Sequence, residues 1–137
     1  MDQLVLDTSV IAKLFLKEEW SDKAIELKDR HVKGEVEIVA PSLLKYELMN
    51  ALKSRKFSKN QIKDALEVVR DYGFSIMDPE DAIFDDAAEL LSDYNISAYD
   101  ASYIALAKDL GTEMCTADQN LLDKVPNLKF VKHIKEF

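Results

Sequence analysis

Four carboxylates stand out by where they fall: Asp7 directly after the apolar run Leu4-Val5-Leu6, Glu47 among Leu43, Leu44 and Ala51, Asp100 after Ala98-Tyr99, and Asp118 just beyond Met114-Cys115-Thr116. Gathered in one place, they would repel one another and raise one another's pKa values unless a cation lay between them. Hard oxygen donors without thiolate or imidazole partners suit Mg²⁺ or Mn²⁺. Each acid also has a plainer role. Asp7 and Asp118 each stand where a helix cap is wanted, and Ser97-Ala98-Tyr99-Asp100 matches the Ser-x-x-acid pattern of a helix start. Glu47 is more informative, because its helical neighbours at three and four positions are Leu43, Leu44, Asn50 and Ala51. With no Lys or Arg among them, an ionised Glu47 needs a partner from another segment, from Asn50 or from a metal, unless it lies at the edge of the buried face and reaches water.

Other chemistries find little support. His31 and His133 lie in polar contexts, expected to be exposed, with no spaced Cys or His partner for zinc. Cys115 reads as a small buried hydrophobe in mid-strand, unable to form an internal disulfide and at home in a reducing cytoplasm. No Gly-rich phosphate loop is present.

The elements that must position these acids follow from periodicity. Gln3 to Leu6 reads as a strand, and Val10, Ile11, Leu14 and Phe15 follow at helical spacing, with Ser9 a candidate cap. A helix is expected to start after Ser21, run toward His31 and end by Gly34, then a strand over 37–40 closed by Pro41. Ser42 is the candidate cap of the helix holding Glu47. Ser58-Lys59-Asn60-Gln61 has the spacing of a capping box, followed by Ile62, Ala65, Leu66 and Val69 on one face and stopped by Gly73. Phe74 to Met77 is a third strand. The next helix is expected to turn Ile83, Phe84, Ala87, Ala88 and Leu91 inward and to stop at Asn95. Ser97 caps a helix over 98–108 ended by Gly111, and a strand over 113–116 leads to Asp118. A short helix over 120–125 and a last strand over 129–132 complete the chain. Strands alternating with helices predict an α/β fold, a mostly parallel sheet covered on both faces.

The 137 residues fit one domain, 1–137, whose 47% hydrophobic and 32% charged residues match a soluble globular protein. No apolar run is long enough for a membrane span, and Met1-Asp2-Gln3 lacks the basic start of a secretory signal, so a cytoplasmic location without membrane contact is expected. A net charge of −8 argues against a broad positive field for nucleic acid. Cations held by clustered acids would reverse that sign locally. One basic segment, Lys53, Arg55, Lys56, Lys59 and Lys63, runs without an acid and is a candidate for following a phosphate backbone, although such runs are commonly solvated connections. Phe15, Leu16 and Trp20 are candidates for a partner surface, with core packing the simpler role for Phe15.

In combination, Leu6-Asp7-Thr8-Ser9, Pro41-Ser42-Leu43-Leu44 leading to Glu47-Leu48-Met49-Asn50-Ala51-Leu52, Tyr99-Asp100-Ala101 and Thr116-Ala117-Asp118 resemble PIN-domain ribonucleases, closely those of the VapC type from prokaryotic toxin–antitoxin pairs. The resemblance spans nearly the whole chain. It implies a PIN-like three-layer α/β/α fold with about five strands, the first and fourth adjacent, and Asp7, Glu47, Asp100 and Asp118 as a catalytic cluster. By the same resemblance Asp7, Asp100 and Asp118 would hold Mg²⁺ or Mn²⁺, with Ser9, Asn50 and Thr116 as supporting polar groups. Some relatives carry a further acid shortly after the fourth, where this chain has Gln119 and Asn120, which speaks against a firmly bound second metal. The implied activity is endoribonucleolytic hydrolysis of RNA, with Lys53, Arg55 and Lys56 along the RNA, a small antitoxin as partner and a homodimer as assembly. The alternatives are a PIN fold kept as a non-catalytic binding scaffold and a phospho-accepting receiver. The receiver fits poorly, because Asp7 is followed by Thr8 and Met77-Asp78-Pro79 is a weak acceptor context.

Overall fold

Leu4, Val5 and Leu6 are buried in succession, so the first strand has no solvent face and must lie inside a sheet covered on both sides. The computed structural model describes residues 2–137 and shows that sheet. Its strands are β1 (Asp2–Leu6), β2 (Val36–Pro41), β3 (Ser75–Met77), β4 (Glu113–Thr116) and β5 (Val131–His133). They run in the order β3-β2-β1-β4-β5, every pair parallel. The chain builds outward from β1 through β2 to β3, then returns to start again on the other side of β1. The strand order therefore reverses between β1 and β4, and a crevice opens there at the carboxyl ends of the strands.

Between the strands run α1 (Thr8–Ile11, continued by a 3-10 turn at Ala12–Leu14), α2 (Ser21–Val32), α3 (Leu44–Ser54), α4 (Lys59–Tyr72), α5 (Asp81–Asp93), α6 (Ala98–Leu110) and α7 (Gln119–Lys124). They cover the sheet in a three-layer α/β/α arrangement. Every residue from Ala101 to Ala107 of α6 is buried, which explains its near-continuous apolar sequence, and the helix packs against β1, β2 and β4. The alanines in that stretch let it sit close to the sheet. The capping box of α4 forms in both directions: Ser58 Oγ accepts from the Gln61 N–H at 3.2 Å, and Gln61 Oε1 accepts from the Ser58 N–H at 2.8 Å. Gly73 and Gly111 end α4 and α6 at φ of +71° and +64°, a conformation that disfavours residues with a Cβ.

Several local expectations are corrected. Ser9 does not cap α1; Asp7 does, accepting from the Val10 N–H at 3.4 Å. Ser42 makes no side-chain cap either, since α3 begins at Leu44 behind Leu43. On α5 the inward stripe is Ile83, Ala87 and Leu90, while Phe84, Ala88 and Leu91 face out. Two adjacent apolar stripes one residue apart satisfy the same helical period, and packing against α6 selects the first. Neither histidine is freely exposed. His31 Nδ1 accepts from the Ile38 N–H while Nε2 donates to the Tyr72 carbonyl, both at 3.0 Å, tying α2 to β2 and α4. His133 is buried edge-on against Trp20, with ring centroids 5.5 Å apart, and desolvation lowers its pKa.

Candidate active site

Asp7 is the most buried of the four acids, at 5% exposure, because β1 ends under the crevice and its backbone N–H still bonds the Cys115 carbonyl of β4. Two hydroxyls hold its carboxylate: Ser9 Oγ donates to Oδ1 and Thr116 Oγ1 donates to Oδ2, each at 2.5 Å. Each hydroxyl also accepts a backbone N–H from the turn after β4, Ala117 to Ser9 at 2.9 Å and Asp118 to Thr116 at 3.1 Å. Ser9 and Thr116 are thus each bonded both to Asp7 and to the backbone after β4. They fasten the Asp118 turn to Asp7. Burial pushes the Asp7 pKa up to about 6 despite these two hydrogen bonds, with the Asp100 charge adding to the rise.

Glu47 lies part-way into the buried face of α3 and finds its partner in hydroxyls rather than in a cation or Asn50. Tyr103 OH and Thr8 Oγ1 both donate to Oε1, at 2.8 and 3.0 Å, and lie 2.8 Å from each other. The fully buried Tyr103 phenol is kept protonated, its pKa raised by desolvation and by the Glu47 charge. Asn50, one turn further along α3, is exposed at the rim.

Asp100 stands half-buried in the first turn of α6, where its backbone N–H donates to the capping Ser97 Oγ at 3.1 Å. Its pKa is raised first by burial, then by the charges of Asp118 and Glu47, with Lys124 offsetting them in part. Asp118 caps α7, accepting the Leu121 N–H at 3.3 Å. The expected capping roles of Asp7 and Asp118 are therefore real. The Asp100 charge bears on Asp7, and those of Asp118 and Glu47 bear on Asp100.

Among the described residues no three Asp, Glu, His or Cys side chains form a ready metal-holding group. The donor set nonetheless fits a hydrated hard cation, which keeps several waters and needs only one or two carboxylates. Burial is the main cause of the raised Asp100 pKa, and the Asp118 and Glu47 charges that add to it are what such a cation would offset.

The basic segment is less free than its sequence suggests. Arg55 Nη2 bonds Glu18 at 2.5 Å, and the nearly buried Lys13 bonds the same carboxylate at 3.0 Å. Lys53 and Lys56 are exposed. Lys13, Ser54 and Arg55 line a groove that reaches Thr8 and Ser9. That Thr8 and Tyr103 meet at Glu47 could not be told from residue types alone. The available signal for Tyr103 was its place three residues after Asp100 on one helix, a phenol in an otherwise apolar run.

A family model described as PIN domain matches residues 4–128. The chain belongs to the PIN-domain family. Within that family it is 30% identical to Ribonuclease VapC3 of Pyrobaculum aerophilum over 131 residues, 92% of this chain and 97% of that one. The PIN fold here superposes on a toxin–antitoxin complex from Klebsiella pneumoniae with a TM-score of 0.71 at 16% identity, covering 96% of this chain and 97% of the other. It also matches Mycobacterium tuberculosis VapC20, described as a sarcin–ricin-loop-cleaving toxin, with a TM-score of 0.70 at 16% identity over 88% and 93% of the two chains. At such identities the structural likeness speaks for the fold. The arrangement of acids in this PIN domain is what bears on chemistry.

Proposed function

We propose that this PIN domain, as a single unit over 1–137, is a metal-dependent endoribonuclease and the toxin of a VapBC-type pair. The observation that carries the reading is that Asp7 follows β1, Asp118 follows β4, Glu47 is bonded to Thr8 beside Asp7, and Asp100 stands in the first turn of α6. The name of the VapC3 relative supports RNA as substrate. The Klebsiella pneumoniae complex supports a small antitoxin as partner. A homodimer and a cytoplasmic setting complete the proposal; no helix among the described residues is long and apolar enough to cross a membrane.

Asp7, Asp100 and Asp118 would hold Mg²⁺ or Mn²⁺, which when bound supplies a water of lowered pKa and positive charge against the phosphate. The chain's own residues do the rest. Ser9 and Thr116 fix both Asp7 oxygens and so set its orientation. Glu47, held at Oε1 by Thr8 and Tyr103, leaves Oε2 to orient an attacking water; Asp118 is the other candidate for that task. Arg55, with exposed Lys53 and Lys56, would contact phosphates leaving the groove, Arg55 exchanging Glu18 for the RNA backbone. The test is cleavage of RNA by the purified protein with Mg²⁺, Mn²⁺ or EDTA, beside Asp7→Asn and Asp100→Asn. Cleavage that needs the metal and both acids is expected, and activity retained by both variants would overturn the assignment.

A further inference from the structure

Two large aromatic side chains beside the acids take no part in holding them. Tyr46 precedes Glu47 in the first turn of α3 and is 70% exposed, and Tyr99 precedes Asp100 in the first turn of α6 and is 63% exposed. Both line one cavity of about 480 Å³, together with Thr8, Leu43, Glu47 and Asn50. That wall contains a carboxylate and neither Lys nor Arg, so it disfavours a phosphate and suits a flat neutral group. The cationic side chains Lys13 and Arg55 lie in the other groove, which meets this cavity at Thr8.

We propose that Tyr46 and Tyr99 form a stacking site for one unpaired nucleobase of the RNA substrate, next to the phosphodiester presented to the acids. The proposal rests on the ribonuclease reading and deepens it by naming the two residues that would take up a base free to leave its neighbours. The division of labour follows from charge. The base enters on the tyrosine side of Thr8, and the backbone runs on the lysine and arginine side. A base stacked within a duplex cannot enter, so paired RNA gains nothing from the tyrosines.

The test measures binding by fluorescence anisotropy in Mg²⁺, in an Asp100→Asn background that leaves the RNA uncut, with a single-stranded RNA dodecamer and an RNA duplex as probes. Tyr46→Ala, Tyr46→Leu, Tyr99→Ala and Tyr99→Leu are each expected to weaken the single strand roughly fivefold to a hundredfold. Tyr46→Phe and Tyr99→Phe should bind it as the parent does, and duplex affinity should not move. Exposure of both side chains leaves the fold out of the comparison, which circular dichroism checks. Single-strand affinity unchanged in the Ala or Leu variants overturns the proposal, as does equal weakening of strand and duplex. Wild-type cleavage of RNA is read separately. If the protein cuts RNA and the Leu variants bind it normally, the stacking site falls and the ribonuclease reading stands; a protein that neither binds nor cuts RNA removes both.

Discussion

Replacing Asp7 with Asn should stabilise the metal-free protein at alkaline pH, an effect opposite to that of most substitutions of buried hydrogen-bonded residues. Burial raises the Asp7 pKa from 3.8 to about 6. The folded form thus holds this proton more tightly than the unfolded one. The associated stability is fully present below pH 3.8 and is lost as the pH rises through about 6. At about 1.4 kcal/mol for each pH unit, the buried charge costs about 3 kcal/mol at pH 8. Asn carries no such charge, and because the Ser9 and Thr116 hydroxyls can turn to donate or accept, both keep a partner. Allowing for a poorer second hydrogen bond, Asp7→Asn in EDTA should be more stable than the wild type by about 1 to 3 kcal/mol at pH 8. The advantage should shrink by about 1.4 kcal/mol at pH 5, where the folded carboxyl is mostly protonated. Urea titration followed by circular dichroism, with a common slope, measures both. Added Mg²⁺ should then stabilise the wild type and not the variant. A stability difference that is the same at pH 8 and pH 5 would refute the reasoning, since it would mean that Asp7 carries no burial penalty.

Tyr103→Phe removes one of two hydroxyls on Glu47 while keeping the buried ring; it should cost about 1 to 2 kcal/mol in urea titrations and lower kcat with little change in KM. An unchanged kcat would show that Glu47 needs no such support. Neutralising Lys53, Arg55 and Lys56 together with Gln should weaken RNA binding and flatten its dependence on salt, by about 0.7 in logarithmic slope for each single-strand phosphate that these cations neutralise in the wild type. An unaltered slope would remove them from the RNA path.

Strand and helix order could be read in the sequence because local signals were redundant. The Ser58 to Gln61 box and the Gly73 stop mark α4 from both ends, and consecutive burial of β1 follows from its unbroken apolar run. The inward face of α5 could not be read, because Phe84, Ala88 and Leu91 satisfy the helical period as well as Ile83, Ala87 and Leu90 do, and only packing against α6 separates them. The four acids could be singled out because each interrupts an apolar setting. Their supports could not, since Thr8 and Tyr103 reach Glu47 from α1 and α6 across 39 and 56 residues of sequence. The pairing of Glu18 with Arg55 was hidden for the same reason: the basic segment has no acid within it and takes one from a separation of 37 residues.

The central claim is that Asp7, Asp100 and Asp118 hold a divalent cation at the β1/β4 crevice and, with Glu47, cut RNA. It is tested most directly by following a labelled single-stranded RNA incubated with wild-type, Asp7→Asn and Asp100→Asn protein, each in Mg²⁺ and in EDTA. The account predicts cut RNA in one of the six reactions, wild type with Mg²⁺, and intact RNA in the other five. Cleavage by the wild type in EDTA, or by both variants in Mg²⁺, would contradict it.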